Sequence, residues 1–219
     1  GTDGAEDRAD REHGRSGGCC DVEPEHAEAA HDRAVVEPDC DIENAAQRIV
    51  TGAFAHAGQV CIKVQRVFAH DGIASQLIKR VIELTETIGR GDPTHDEVIC
   101  GPMISEEAAT RIETWVNEAR AQGANVLTGG ERDGQFYVPT WLTDVPEEAS
   151  VCCREVFGPV GIFARYHDFE AALHAVNASQ YGLQCGVFTG SLFKATQAFE
   201  MLEVGAVIVN DIPTYRVDH

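Results

Sequence analysis

The stretch AHAGQVCIKVQRVFAH, residues 55–70, holds a single cysteine, Cys61, between a Gly-Gln pair and an alternating run typical of a strand. A thiolate is a strong nucleophile and also a fair leaving group, so it can divide one difficult step into two easier ones. On a loop ahead of a strand, backbone N–H groups would stabilise the thiolate and a developing oxyanion. Without such a role, a lone cysteine is usually a small apolar residue of a core. Cys61 is therefore the first candidate for chemistry.

The remaining cysteines show no pattern of metal ligands. The chain has eight cysteines, at positions 19, 20, 40, 61, 100, 152, 153 and 185. No C-x2-C pair occurs, and two adjacent pairs with scattered single residues fit no zinc spacing. We predict no metal site, reduced thiols, and buried small side chains at most of these positions.

The composition argues against several classes of partner. Seventeen basic residues against 36 acidic residues give a net charge of −19, which disfavours nucleic acid and anionic membranes as partners. No run approaches the roughly 18 apolar residues of a membrane span, and no charged-then-apolar signal peptide opens the chain. We therefore expect a cytoplasmic protein with neither a nucleic-acid nor a membrane partner.

The start of the chain differs in composition from the rest. Residues 1–33 contain no Leu, Ile, Met or aromatic residue, and Val22 is their only β-branched aliphatic residue. Such a segment cannot bury enough apolar surface to offset the entropy lost on ordering. We predict a disordered or loosely attached acidic leader over residues 1–33 and a globular domain over residues 34–219. A shifted reading frame is a further hypothesis for the leader, because the composition changes abruptly at Ala34.

From Asp41 onward, the hydrophobic pattern becomes regular. Apolar residues at helical spacing predict helices that open at Asp41, Asp71 and Ser105, with Asp41 and Asp71 as caps. A strand is predicted at 64–70, and further strands are predicted at ANVLT, VPTWLTDV, VGIFARY, QCGVFT and AVIVN. Two helical stretches, FEAALHAVN and LFKATQAFEML, separate the last three of these strands. This alternation predicts an α/β fold with a mostly parallel sheet flanked by helices. No G-x-G-x-x-G turn occurs, so no dinucleotide-binding half of the usual kind is expected.

Several short motifs follow one another in a fixed order. They are GQVC before VQRV, then GDP, GPMI, EVFGPV, YGLQCGVFT and GAVIVND. Together they resemble the catalytic domain of the NAD(P)-dependent aldehyde dehydrogenases over residues 34–219. GQVC alone is a weak signal, but its combination with EVFGP at residues 155–159 is specific. The resemblance implies the fold of that catalytic domain, truncated at both ends.

The resemblance also implies an activity and a set of site residues. The activity would be oxidation of a small-molecule aldehyde to a carboxylic acid, with NAD or NADP as cofactor. Cys61 would be the catalytic nucleophile and would form a thiohemiacetal and then a thioester. Glu155 would accept hydrogen bonds from the nicotinamide-side ribose, Phe157 would pack beside the nicotinamide ring, and Asn210 would lie near the substrate pocket. The identity of the aldehyde and the choice between NAD and NADP stay open.

The chain departs from the family pattern at the general base. In the family, an ELGG-Asn stretch carries the glutamate that activates the hydrolytic water, and the usual spacing places that glutamate at Ala27, within AEAAH. Glu25 and Glu28 are close in sequence, but a shift of one residue on a tight turn would point a carboxylate elsewhere. The family's nucleotide-binding domain, its oxyanion-binding asparagine and its oligomerisation strand also fall outside this chain. We therefore expect impaired activity in the chain as given.

Two other functions stay open. One is a non-catalytic fragment or pseudoenzyme of the same fold. The other is a cofactor-independent thiol esterase that pairs Cys61 with His56 or His70, although neither histidine belongs to a recognisable dyad motif. Cofactor binding would separate the enzyme from the pseudoenzyme, and ester hydrolysis without cofactor would favour the thiol esterase.

Overall fold

The computed structural model describes residues 32–179 and 182–214. Glu25, Ala27 and Glu28, with nearly all of the predicted leader, lie outside the described residues. The last two residues of that leader, Asp32 and Arg33, are described and begin the first strand.

Within the described residues the chain forms strands and helices in alternation. The strands are β1 (Asp32–Val36), β2 (Val64–His70), β3 (Gly89–Arg90), β4 (Val98–Cys100), β5 (Asn125–Thr128), β6 (Arg132–Asp133), β7 (Phe136–Tyr137), β8 (Thr140–Thr143), β9 (Val160–Tyr166), β10 (Gln184–Phe188) and β11 (Ala206–Val209). The helices are α1 (Ile42–Phe54), α2 (Asp71–Thr87), α3 (Glu106–Ala121), α4 (Ser150–Cys153), α5 (Phe169–Asn177) and α6 (Leu192–Met201), with a 3-10 turn at Ala55–Gly58.

The main sheet has seven strands among the described residues, in the order β11-β10-β1-β2-β9-β8-β5. Every neighbouring pair is parallel except β5 and β8, which are antiparallel. Helices pack against both faces, and three clusters of buried apolar side chains fill the space between helices and sheet. The predicted α/β fold with a mostly parallel sheet is confirmed.

Two of the three predicted helix openings are confirmed by their capping bonds. The Asp41 carboxylate accepts from the Asn44 N–H at 3.1 Å, and the Ser105 hydroxyl accepts from the Ala108 N–H at 3.2 Å. The prediction of Asp71 as a cap is wrong. Asp71 is already helical, and His70 caps α2 through Nδ1, which accepts from the Gly72 N–H at 3.0 Å. A histidine at the end of a strand carries no strong capping preference, so the sequence pattern favoured the neighbouring aspartate.

The strand β1 lies in the middle of the sheet, although the hydrophobic pattern did not predict it. Its five residues, DRAVV, are all buried, and it pairs with β2 on one side and β10 on the other. Only its last three residues are apolar, because Asp32 and Arg33 occupy its first two positions. A central strand normally shows a longer apolar run, and for that reason β1 was missed.

The core on one face of the sheet is built around Trp141 in β8. Its ring is wholly buried, with its centroid 4.7 Å from that of Phe163 and 5.2 Å from that of Phe54. The indole N–H donates to the Thr85 hydroxyl at 2.9 Å, so its polar atom is satisfied inside the core. On the neighbouring strand Gly161 lies opposite Trp141, which leaves room for the ring.

None of the helices formed by residues 32–179 and 182–214 is both long enough and apolar enough to cross a membrane.

We predict that Gly161→Ala destabilises the fold by crowding Trp141. A Cβ at position 161 would lie 2.2 Å from a ring carbon of Trp141, and overpacking of a core costs about 1–3 kcal/mol. Urea unfolding measures the change in free energy of unfolding. Gly101→Ala is the matched control, because its Cβ would meet nothing closer than Pro93 at 3.5 Å, so its effect should stay within about 0.5 kcal/mol. Equal stability of the two variants would contradict the packing argument.

Candidate functional site

The two loops that carry the predicted site residues lie at the same edge of the sheet. Cys61 is in the loop that precedes β2, and Glu155 and Phe157 are in the loop that precedes β9. Because β2 and β9 are parallel neighbours, both loops lie at the amino edge of the sheet. The structure therefore brings Cys61, Glu155 and Phe157 into one region.

The Cys61 loop has an uncommon backbone conformation. His56, Ala57 and Gly58 have φ values of 55°, 56° and 65°, so three successive residues are left-handed. A non-glycine residue in this region is strained by roughly 1–2 kcal/mol, and such strain clusters at functional sites. Cys61 follows in an exposed turn that the Lys63 N–H closes by donating to the Val60 carbonyl at 3.2 Å. The loop thus holds the thiol at the surface of an otherwise packed edge.

The two loops approach each other through glycine. A Cβ at Gly58 would lie 2.4 Å from the carbonyl oxygen of Gly158, and a Cβ at Gly158 would lie 2.1 Å from the Ile112 side chain. Real Cβ atoms do not come that close to other heavy atoms, so a larger residue at position 58 would require backbone movement, and one at position 158 would displace the Ile112 side chain. These glycines of GQVC and EVFGP allow the loops to touch.

Gln59 links the Cys61 loop to a third segment, residues 102–104. Its carboxamide oxygen accepts from the Ile104 N–H at 2.7 Å, and its NH2 group donates to the carbonyls of His56 and Pro102, each at 3.3 Å. One side chain therefore binds three backbone groups. The sequence analysis did not select Gln59, although its place in GQVC next to Cys61 was a signal.

A cavity opens between these segments. Its volume is about 720 Å³, and it is lined by His56, Gln59, Val60, Phe157 and residues 102–104. Phe157 is 39% exposed and has a φ of 45°, a strained value for an aromatic residue. The strained backbone presents an aromatic ring to the cavity instead of burying it. This is the arrangement expected of a ring that packs against a ligand.

Glu155 is half-buried and interacts electrostatically with two cations. Burial raises the pKa of its carboxyl to about 6, while the charges of Lys63 and Arg111 act in the opposite direction. Arg111 is held in place by a hydrogen bond of 2.8 Å to the Val156 carbonyl and by stacking 4.6 Å from the Trp115 ring centroid. Burial also lowers the pKa of Arg111, and Glu155 opposes that shift. Glu155 is thus a carboxylate in a positive environment, with an accessible face.

Asn210 lies at the other edge of the sheet. It follows β11, whose direction is that of β2, so it stands at the carboxyl edge while Cys61 stands at the amino edge. With a φ of 57° it forms a turn, and its carboxamide oxygen accepts from the Thr189 N–H at 3.0 Å. These contacts are those of a turn residue, and its place in a substrate pocket stays a prediction.

The two histidines of the thiol-esterase alternative are also far apart. His56 lines the cavity near Cys61. His70 ends β2, seven residues of extended chain beyond the Cys61 loop, which amounts to roughly 20 Å. The Nδ1 atom of His70 accepts a hydrogen bond from the Gly72 N–H at the start of α2. Because His70 lies at the other end of β2, only His56 is at the same edge of the sheet as Cys61.

Lys63 and Arg111 belong to the site but were not selected from the sequence. Lys63 follows Cys61 by two residues, and a charged residue at the start of a buried strand was a signal. Arg111 had no such signal, because a cation on a helix is normally a solvated residue. Within residues 32–179 and 182–214, no three His, Cys, Asp or Glu side chains lie together as a metal-binding group.

Comparison with known proteins identifies the family. The sequence model described as "Aldehyde dehydrogenase family" matches residues 26–219. This chain belongs to the aldehyde dehydrogenase family. The match begins inside the predicted leader, at residues that the structure does not describe, so the leader boundary stays a prediction.

Individual aldehyde dehydrogenases agree with this assignment. The 3-sulfolactaldehyde dehydrogenase of Priestia aryabhattai is 45% identical over 84% of this chain and 39% of its own length. The NADP-dependent glyceraldehyde-3-phosphate dehydrogenase of Bacillus halodurans, solved with NADP, has a TM-score of 0.83 at 37% identity, over 87% of this chain and 40% of that one. The betaine aldehyde dehydrogenase of Staphylococcus aureus, solved with NAD+, has a TM-score of 0.80 at 30% identity, over 84% of this chain and 38% of that one. The chain thus spans about 40% of the length of the aldehyde dehydrogenases it matches.

We predict that Gln59→Ala loosens the contact between the Cys61 loop and residues 102–104. Loss of a hydrogen bond costs about 0.5–1.5 kcal/mol, which corresponds to roughly threefold to tenfold faster amide exchange. Hydrogen exchange at the Ile104 amide measures this change. Gln47→Ala is the control, because the Gln47 carboxamide donates to its helix neighbour Glu43 at the surface, at 2.7 Å, far from Ile104 in the chain. Unchanged exchange at Ile104 in Gln59→Ala would show that Gln59 does not hold this segment.

Proposed function

We propose that the chain is the catalytic part of an NAD(P)-dependent aldehyde dehydrogenase that oxidises a small aldehyde to a carboxylic acid. One observation carries this proposal: the loop of the exposed Cys61 and the loop of Glu155 and Phe157 touch through Gly58 and Gly158 at the amino edge of the sheet. A nucleophile, a carboxylate and an exposed ring thereby line one region. The match of the family over residues 26–219 supports the assignment.

In the proposed reaction, the Cys61 sulfur attacks the aldehyde carbon. A C–S bond forms, the carbonyl π-bond breaks, and the oxygen takes up the charge to give a thiohemiacetal. NAD(P), when bound, supplies the chemistry of hydride acceptance, after which the carbon is held on Cys61 as a thioester. Water then cleaves the C–S bond, which releases the carboxylic acid and returns the thiolate. The exposed turn of Cys61 leaves the sulfur accessible to substrate and to water.

The residues present fit the nicotinamide end of the cofactor. A carboxylate can accept two hydrogen bonds at once, which suits the two hydroxyls of a ribose. Glu155 offers a half-buried carboxylate whose ionised form is favoured by the charges of Lys63 and Arg111. The exposed ring of Phe157 offers an apolar face toward the cavity. We assign Glu155 to the ribose and Phe157 to the nicotinamide ring.

The names of the relatives indicate a substrate class. The Priestia relative carries the name 3-sulfolactaldehyde dehydrogenase, and the Bacillus structure is that of a glyceraldehyde-3-phosphate dehydrogenase. Both named aldehydes are short and polar, and we propose a short polar aldehyde as substrate. We also propose a cytoplasmic location, because Cys40, Cys61, Cys100 and Cys185 are reduced thiols, as cysteines of cytoplasmic proteins usually are.

We predict that Cys61 is the fastest of the described thiols to react with iodoacetamide. Burial raises the pKa values of Cys100 and Cys185 to about 12, whereas Cys61 is exposed. Peptide mapping after limited alkylation should show at least roughly tenfold faster labelling at Cys61. Cys19 and Cys20 are left out of the comparison, because they lie outside the described residues.

The same labelling tests the proposed addition to an aldehyde. Lactaldehyde should slow alkylation of Cys61, because a thiohemiacetal removes the free thiolate, and hydroxyacetone at equal concentration should slow it far less. Cys40, which is half-buried and has a pKa raised to about 11, reports any general effect of aldehyde on the protein. Equal protection of Cys40 and Cys61, or none, would count against Cys61 as the nucleophile.

We predict that p-nitrophenyl acetate acetylates Cys61 and that the acetyl group then persists. The thioester forms from this ester without a cofactor. Its hydrolysis should be slow, because Ala27 stands where the family resemblance places the general base. Loss of a general base slows such a step about 100-fold to 10,000-fold. Intact-protein mass spectrometry detects the acetyl group, and Cys61→Ser is the control. Multiple turnovers that disappear in His56→Ala would favour the thiol esterase, and failure to acetylate would favour a non-catalytic chain.

A further inference from the structure

Lys63 is a buried lysine that joins the two loops of the site. It is 2% exposed, and its ammonium donates to the carbonyl of Val160, the first residue after the EVFGP segment. Its backbone N–H closes the Cys61 turn at the Val60 carbonyl at 3.2 Å, and its own carbonyl accepts from the Asp32 N–H at 3.2 Å. One residue therefore contacts the Cys61 turn, the start of β9 and the start of β1.

The charges around Lys63 come from every element packed at this edge. Glu155 of the EVFGP loop interacts electrostatically with Lys63, and Arg111 on α3 interacts electrostatically with Glu155. Asp32 and Arg33 begin the neighbouring strand β1, and Asp32 interacts with both Arg33 and Glu155. Arg154, the remaining charged residue of the loop, lies 5.8 Å from the Trp115 ring centroid. Among these groups, Glu155 is the one whose charge opposes the effect of burial on Lys63.

We propose that Lys63 is a positioning residue for the cofactor: its buried ammonium holds the start of β9 and keeps Glu155 in its ionised, diol-binding form. The inference rests on the proposed role of Glu155 at the nicotinamide ribose. An ionised carboxylate accepts hydrogen bonds about twice as strong as those of a neutral one. Lys63 therefore sets the pH range over which this loop binds a ribose.

The direction of the pH effect follows from the two groups. Burial raises the pKa of Glu155 to about 6, so the carboxylate is lost as pH falls through that value. The positive charge of Lys63 lowers the pKa of Glu155, so its removal should let that pKa rise further and make protonation begin at a higher pH. Burial lowers the pKa of Lys63 itself to about 7, so its charge is fully present only below neutral pH. The effect should therefore be strong near pH 6 and absent near about pH 9, where Glu155 is ionised with or without Lys63.

The interaction can be measured without any cofactor. The chain has only three lysines, Lys63, Lys79 and Lys194, so ¹³C-labelled lysine gives three assignable NMR signals. Glu155→Gln should lower the pKa of Lys63, and Lys63→Met should raise the pKa of Glu155. The two pKa changes should be equal in size, because the interaction between the two groups is reciprocal. Lys79→Met is the control, since the Lys79 side chain is 80% exposed and pairs with Glu83 at 3.9 Å. Unchanged pKa values in both variants would overturn the inference.

Binding of nicotinamide mononucleotide, which carries the ribose diol, then tests the consequence. Lys63→Met should bind roughly threefold to tenfold more weakly than wild type near pH 6.5 and equally near pH 9. A loss that is the same at both pH values would reduce Lys63 to a structural tether and overturn the electrostatic role. If Glu155→Gln binds as well as wild type, the proposed function of Glu155 fails, while the NMR result still decides whether Lys63 and Glu155 are coupled.

Discussion

The contact between Gly58 and Gly158 is the constraint on which the rest of the site depends. It lets the backbone of the Cys61 loop meet the backbone of the EVFGP loop with no side chain between them. The contact depends on β2 and β9 being parallel, which puts their preceding loops at one edge, and on their being neighbours, which brings those loops together. Ile112 on α3 closes the other side of Gly158, so the helix layer also limits where this loop can lie.

The location of the site departs from a general tendency of open α/β sheets, in which ligands bind outside the carboxyl ends of the strands. Here Cys61 and Glu155 lie on loops at the amino edge instead. The strand β2 passes directly into α2 at His70, whose ring caps the helix, and the carboxamide of Asn210 is used by the Thr189 N–H. The longer, strained loops precede β2 and β9, so exposed reactive side chains collect at the amino edge.

The amino edge also concentrates buried charge. Asp32, Lys63 and Glu155 have pKa values moved toward neutrality, to about 7, 7 and 6, with burial as the largest cause in each case. Buried ions of this kind add little to the stability of a fold and often reduce it. Their presence at one edge, next to the Cys61 loop, is better explained by chemistry than by folding, because perturbed ionisable groups tend to gather at functional sites.

The sequence by itself determined the features that depend on near neighbours in the chain. Helical periodicity and capping residues located α1 and α3, and short motifs marked Cys61, Glu155 and Phe157. Only the tertiary structure decided which of these residues meet. The order of the strands placed the loop of Cys61 beside the loop of Glu155, separated Asn210 from both, and put the charged strand β1 in the middle of the sheet. Lys63 and Arg111 became members of the site for the same reason: their roles follow from contacts with residues far away in sequence, and no local pattern records such contacts.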